Sequence, residues 1–199
     1  MIPTILVAGT WANGRGAPQD SWWRPESDFY KEGLAHGLNL VDAADPFVWC
    51  TGLDGIDAEN SHWKSAAHAL IWYCDSKKLD SVNLLAHSHG GNCALYASNF
   101  GLKINILITV ATPPRKEIIA HRANIKHWVH IRGGIKDYVQ IAGELSFEAM
   151  ETAILLHDFD FLERDMELAD QNIVVLDKGH SELHEAALWK EKGWFDLLK

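Results

Sequence analysis

Six short apolar runs punctuate this chain, and segments of helical period separate several of them. Ile5-Leu6-Val7-Ala8 comes first, followed by Phe47-Val48-Trp49-Cys50-Thr51, Val82-Asn83-Leu84-Leu85-Ala86, Ile104 to Val110, His127 to Ile131, and Ile173 to Leu176. Each is too short and too evenly apolar for a surface helix and suits a strand buried on both faces. Residues 28–40 place Phe29, Leu34 and Leu38 at helical spacing, and residues 58–78 carry apolar positions at 63, 66, 67, 70, 71 and 74. Gly91 to Phe100 reads as a helix ending near Gly101, and residues 182–192 as a final amphipathic helix. Strands that alternate with helices pair in parallel through right-handed crossovers. The expectation is a three-layer α/β fold: six strands, mostly parallel, with helices on both faces.

The 199 residues show no repeat, low-complexity tract or interdomain linker, so one domain over 1–199 is expected. A formal net charge of −9 repels phosphate backbones, which argues against nucleic acid as a partner. Cys50, Cys74 and Cys93 have no metal-type spacing and read as buried free thiols, which fits a reducing compartment. Met1-Ile2-Pro3-Thr4 runs straight into an apolar strand without a basic leader or cleavage pattern. No apolar run approaches the roughly 20 residues of a membrane helix. A cytoplasmic protein without an integral membrane segment is the expectation, with non-classical export still compatible. The sequence carries no signal for oligomeric state.

In parallel sheets, sites form beyond the carboxyl ends of the strands. That directs attention to residues 9–14, 51–57, 86–91, 111–115, 133–139 and 177–184. The strongest local signal among them is Leu84-Leu85-Ala86-His87-Ser88-His89-Gly90-Gly91. A serine stands between a buried strand and a helix start, with small residues two before and two after. A sharp strand–turn–helix corner forces such a serine into a strained conformation and exposes its hydroxyl, and the small flanks let strand and helix approach. The competing reading is an ordinary serine N-cap. His87 and His89, with His180 and His184, invite a metal reading, but the carboxylate and histidine that would complete a metallo-hydrolase pattern are missing, so no metal is expected. His36, His62, His68, His121, His127, His130 and His157 read as ordinary surface or helix histidines. Gly90-Gly91 lacks the lysine and hydroxyl residue of a phosphate loop.

This octapeptide resembles the Gly-x-Ser-x-Gly elbow of the α/β-hydrolase family, with Ala86 at the first glycine; small serine lipases and esterases are similar here. The resemblance spans residues 4–190 and lacks the two N-terminal strands of larger members. It implies a serine nucleophile, Ser88, followed in chain order by an acid and then a histidine. A serine hydroxyl needs such a base to react at neutral pH. His180, after the sixth apolar run, matches the family's general base, with His184 as the rival. Asp137, after the fifth run, matches the acid that orients the imidazole, with Asp158, Asp160 and Asp165 as rivals. The oxyanion donors implied are the backbone N–H of His89 and that of Thr10, or of Trp11 if the loop is shifted.

Taken together, the resemblance implies cleavage of a small-molecule or lipid carboxylic ester through an acyl-enzyme, without a cofactor. Two alternatives share these residues: a hydrolase-fold binding or scaffold protein, and an acyltransferase. Trp11, Trp22 and Trp23 are candidates for the substrate pocket, since they fall in a Gly/Pro-rich segment where core is least expected. Residues 12–27 and 140–170 are long enough to act as lids. Glu182 reads as a charge at the positive end of a helix.

Overall fold

The computed structural model describes residues 1–9, 22–41, 43–49, 59–115, 118–134, 137 and 165–199, with the side chains of the second helix from Trp63 onward. Its sheet has five strands: β1 (Thr4–Val7), β2 (Val82–His87), β3 (Ile104–Val110), β4 (Ile125–Gly133) and β5 (Gln171–Val175). They lie side by side in chain order, and every neighbouring pair is parallel. Four α-helices flank them among the described residues: α1 (Asp28–Ala35), α2 (Glu59–Ser76), α3 (His89–Asn99) and α4 (Ala186–Lys192). None is long and apolar enough to cross a membrane.

The sheet divides the interior into two cores, and strand alternation feeds both. Ile5, Val7, Leu84, Ala86 and Leu107 face Trp63, Ala67 and Leu70 of α2 and Cys93 and Ala97 of α3. Leu6, Leu85, Ile106, Ile108, Val129 and Ile131 face Phe29 of α1, Trp189 of α4 and Phe195. A strand covered on both sides must be apolar at odd and even positions alike, which is why these runs lack alternation in the sequence. Burial pushes the Cys74 thiol up to about 12 and raises Cys93 as well, so both free cysteines are inert core groups. Cys50 lies outside the described residues.

Several expected elements differ. The described sheet has five strands: Phe47 to Trp49 form no ladder, and Cys50 and Thr51 lie outside the described residues. Phe47 and Trp49 are nonetheless buried, one edge-on to Tyr73 and the other donating its indole N–H to the Ala8 carbonyl at 2.8 Å. The free edge of β1 instead meets Leu40 in a single parallel bridge. Helix α1 starts at the Ser27 cap and stops at Ala35, short of residue 40. Gly37 turns left-handed at φ +82°, and the Leu38 and Gly37 N–H groups bond back to the Gly33 and Leu34 carbonyls, a Schellman stop. Leu38 is therefore buried beyond the helix, while Leu34 is half exposed. The last expected helix is two pieces, a 3-10 turn at Glu182–His184 and then α4, because Glu185 is extended between them. Helix α3 begins at His89, two residues earlier than read.

His130 is a core residue and not a surface one. It is fully buried on β4, directly opposite Thr109 of β3. The Trp128 indole donates to the Thr109 hydroxyl at 2.9 Å, and that hydroxyl lies 2.9 Å from His130 Nδ1. The apparent fifth run stopped short of the full β4 because Lys126 and Arg132, just outside it, are charged.

Candidate active site

The β2–α3 junction is a one-residue corner. His87 ends the strand, His89 begins the helix, and Ser88 alone makes the turn at φ 54°, ψ −133°. A non-glycine side chain rarely occupies that region, and holding it there costs on the order of 1–3 kcal/mol. Ser88 stands at the N-cap position, yet its hydroxyl makes no capping bond. The corner is held instead by the Ser88 N–H donating to the Val110 carbonyl and the Gly91 N–H donating to the Ser88 carbonyl. It is also crowded. A Cβ on Gly9 would sit 2.6 Å from the Ser88 Cβ, and one on Gly90 would sit 2.4 Å from the Ala8 carbonyl oxygen. Glycine at these two places lets the end of β1 and the start of α3 close around the serine.

Asp137 and His180 meet beside this corner. Asp137 is fully buried in the loop after β4. Its Oδ1 lies 2.8 Å from His180 Nδ1, and the His180 side chain is 12% exposed. A carboxylate only accepts, so Nδ1 carries the proton and Nε2 is left as the basic nitrogen. Gly133 permits the approach of the two loops, since a Cβ there would strike the Lys178 carbonyl and the Asp137 side chain. The His180 loop is anchored on both flanks: Glu182 accepts from the Gly179 N–H at 2.8 Å, and the Trp189 indole donates to the Leu183 carbonyl at 2.8 Å. Glu182 thus ties a loop together; it does not head an α-helix.

Both imidazoles that flank Ser88, His87 and His89, lie within electrostatic reach of His180. Burial holds His87 well below the usual histidine range, and the nearby His180 and His184 push it the same way. His89 is lowered to about 4, first by burial and then by Arg115 and His180; Asn92 Nδ2 donates to its Nδ1 at 3.1 Å. His184 is also lowered to about 4, chiefly by burial. Its ring stacks on Trp22 at 5.5 Å and meets His87 edge-on at 4.7 Å; Asp137 bonds His180.

Of the pocket tryptophans, Trp22 is buried against His184 and Phe29, next to the His180 loop. Trp23 lies elsewhere, lining a small cavity with Thr4, Tyr30, Leu40 and Tyr73 along the β1 edge. Asp165 is ion-paired to Arg132, away from His180. Thr10, Trp11, Asp158, Asp160 and the greater part of both lid segments lie outside the described residues. Among the described residues no three His, Cys, Asp or Glu side chains are grouped to hold a metal. What the sequence reading missed is the contact of His87 with the His180 loop. Its signal was the alternation along β2, which puts His87 on the Leu85 face, the same core that contains Leu183 and Trp189.

A parallel sheet between two helical layers, with a strained serine at a strand–helix corner, is an α/β-hydrolase fold. Solved structures of similar shape agree. A predicted CIB-like hydrolase from Thermoplasma acidophilum superposes with a TM-score of 0.59 at 14% identity, over 99% of this chain and 86% of that one. A Bacillus licheniformis lipase, BlEst2 in its mature form, gives 0.55 at 12% identity, over 100% and 92%. XC6422 from Xanthomonas campestris, described as an a/b serine hydrolase without lid, gives 0.50 at 15% identity, over 98% and 79%. No protein-family model matches the sequence, and no curated protein does.

Proposed function

We propose that this chain, as a single domain, is a serine hydrolase that cleaves carboxylic esters of small molecules or lipids through an acyl-enzyme on Ser88. The observation that carries the reading is the 2.8 Å His180–Asp137 pair beside a serine held at φ 54° on a strand–helix corner. In the reaction, Ser88 Oγ attacks the ester carbonyl while His180 Nε2 takes its proton. Asp137 holds the tautomer and stabilises the imidazolium that forms. His180 then protonates the leaving alcohol; in the second half it takes a proton from water, which attacks the acyl-enzyme, and returns that proton to Ser88 Oγ as the carboxylic acid leaves. The His89 N–H at the start of α3 supplies one oxyanion donor, and the Thr10 or Trp11 N–H supplies the second. Each is worth about 2.7–4 kcal/mol in the transition state. The sequence requires no cofactor for these steps. A lipase and a serine hydrolase among the structures of this shape are compatible with ester chemistry. Reduced thiols at Cys74 and Cys93 are compatible with a cytoplasmic setting.

The test is hydrolysis of p-nitrophenyl esters from acetate to palmitate by the protein and by Ser88→Ala, with fluorophosphonate labelling alongside. Turnover and labelling that vanish in Ser88→Ala establish the nucleophile, and the chain-length optimum separates esterase from lipase. No turnover on any chain length together with no labelling refutes the proposal.

A further inference from the structure

The imidazole of His87 is spoken for by no step of that reaction, yet it is joined directly to the residue that carries the base. It is the last residue of β2, buried on the Leu85 face. Its Nε2 lies 3.1 Å from the His180 main-chain carbonyl oxygen. A carbonyl only accepts, so Nε2 is protonated and donates, and a neutral ring leaves Nδ1 bare. The rings of His87 and His180 are 4.6 Å apart, centroid to centroid. On its other sides His87 meets His184 edge-on, Trp22 at 6.3 Å and the backbone of Gly9, where an added Cβ would come within 3.2 Å of Nδ1. Among the described residues, the titratable groups that face it are therefore His180 and His184 of one loop, with Asp137 behind His180.

Asp137 fixes the ring of His180, but it does nothing to fix the main chain from which that ring hangs. His87 supplies that second point of attachment, and it comes from the residue next to Ser88. The nucleophile and the base are thus tied together through one short bond that does not involve the reacting atoms.

We propose that His87 is a positioning residue, whose Nε2–H to the His180 carbonyl holds the base loop at the elbow so that His180 Nε2 stays aimed at Ser88. This rests on the Ser88–His180–Asp137 reading above. Because His87 is neutral, it does not oppose the imidazolium that forms on His180 during acyl transfer.

The experiment compares the protein with His87→Phe, which fills the ring volume without a donor, and His87→Gln, whose amide can place an N–H near the Nε2 position. His87→Leu serves if the phenylalanine variant does not fold. The readouts are kcat and KM on the preferred p-nitrophenyl ester, the rate of fluorophosphonate labelling and the thermal midpoint. The donorless variant is expected to lose kcat by roughly 100-fold, the scale of a 1 Å misplacement. KM should stay within about twofold and labelling should slow in parallel, while the glutamine variant recovers most of the loss. The low-field proton signal of the His180–Asp137 bond reads the same geometry without substrate. It should be present in the unsubstituted protein and in His87→Gln, and broadened by solvent exchange in His87→Phe. Unchanged kcat and an unchanged proton signal in the donorless variant overturn the proposal. So does equal damage in both variants that follows their thermal midpoints. If the unsubstituted protein neither turns over esters nor takes the probe, the triad reading fails, and the proton signal still decides whether His87 positions the loop.

Discussion

Replacing Ser88 by glycine and by alanine separates the strain at the elbow from its chemistry. Both substitutions remove the hydroxyl, and only glycine relaxes at φ 54°, ψ −133°. That backbone is the mirror image of an extended one, so glycine occupies it freely while alanine keeps the steric penalty of roughly 1–3 kcal/mol. Glycine gives back about 0.4–1 kcal/mol through its freer unfolded chain. Taking the middle of each range, the balance makes Ser88→Gly more stable than Ser88→Ala by about 1 kcal/mol. For a chain of this size that is a thermal midpoint higher by roughly 2–4 °C. Differential scanning calorimetry of the two variants at one pH measures it, and both should be inactive on esters. A glycine variant equal to or less stable than the alanine variant would falsify the claim that the corner is strained, since no other term here favours glycine.

Three further perturbations address the surroundings. Asp137→Asn should fold normally and lower kcat by about 10⁴-fold, because the amide favours the wrong tautomer of His180; a loss under tenfold in steady-state assays speaks against the pairing. Gly90→Ala would set a Cβ 2.4 Å from the Ala8 carbonyl and 2.6 Å from that of Val7, both main chain. It should cost at least about 1–3 kcal/mol, and an unchanged melting curve contradicts the crowding. His89 and His184, each lowered to about 4, make stability fall with acid. Above pH 6.5 both rings are neutral in either state. Between 6.5 and about 4 the unfolded chain takes up protons that the folded chain refuses, and below that the full penalty of roughly 3 kcal/mol per ring applies. Urea unfolding from pH 7.5 to 4 should show this slope, shallower in His184→Phe; identical slopes rule His184 out as a source.

Most of the sheet was legible because burial on both faces leaves few polar residues to interrupt a strand. Ile5 to Val7 and Ile104 to Val110 read directly for that reason. The same logic misread Phe47 to Trp49. There Phe47 and Trp49 are buried and Val48 is half exposed, the alternation of a strand, but the burial comes from Tyr73 and from the end of β1, not from a ladder. Apolar pattern reports which side chains leave water; it does not report where the backbone hydrogen bonds go. His130 produced the opposite error, since a buried imidazole looks like a surface one until its partners are known. At the site, the meeting of Asp137 with His180 beside the Ser88 corner follows the chain order that the family resemblance implies. The contact of His87 was not legible, because its partner is a main-chain carbonyl 93 residues away, which leaves no trace in residue type.

The trio of Thr109, Trp128 and His130 has a consequence for how the sheet assembles. Parallel strands have no hairpin turn to set their alignment, and two apolar runs such as those of β3 and β4 could zip together one residue out of step at little cost in greasy contact. In the native pairing Thr109 sits opposite His130. A one-step slip sends them to opposite faces of the sheet and leaves a hydroxyl, an imidazole and an indole in dry surroundings without mates, at about 1–3 kcal/mol each. The three side chains therefore work like the notch of a key, rejecting misaligned zippering while the chain folds.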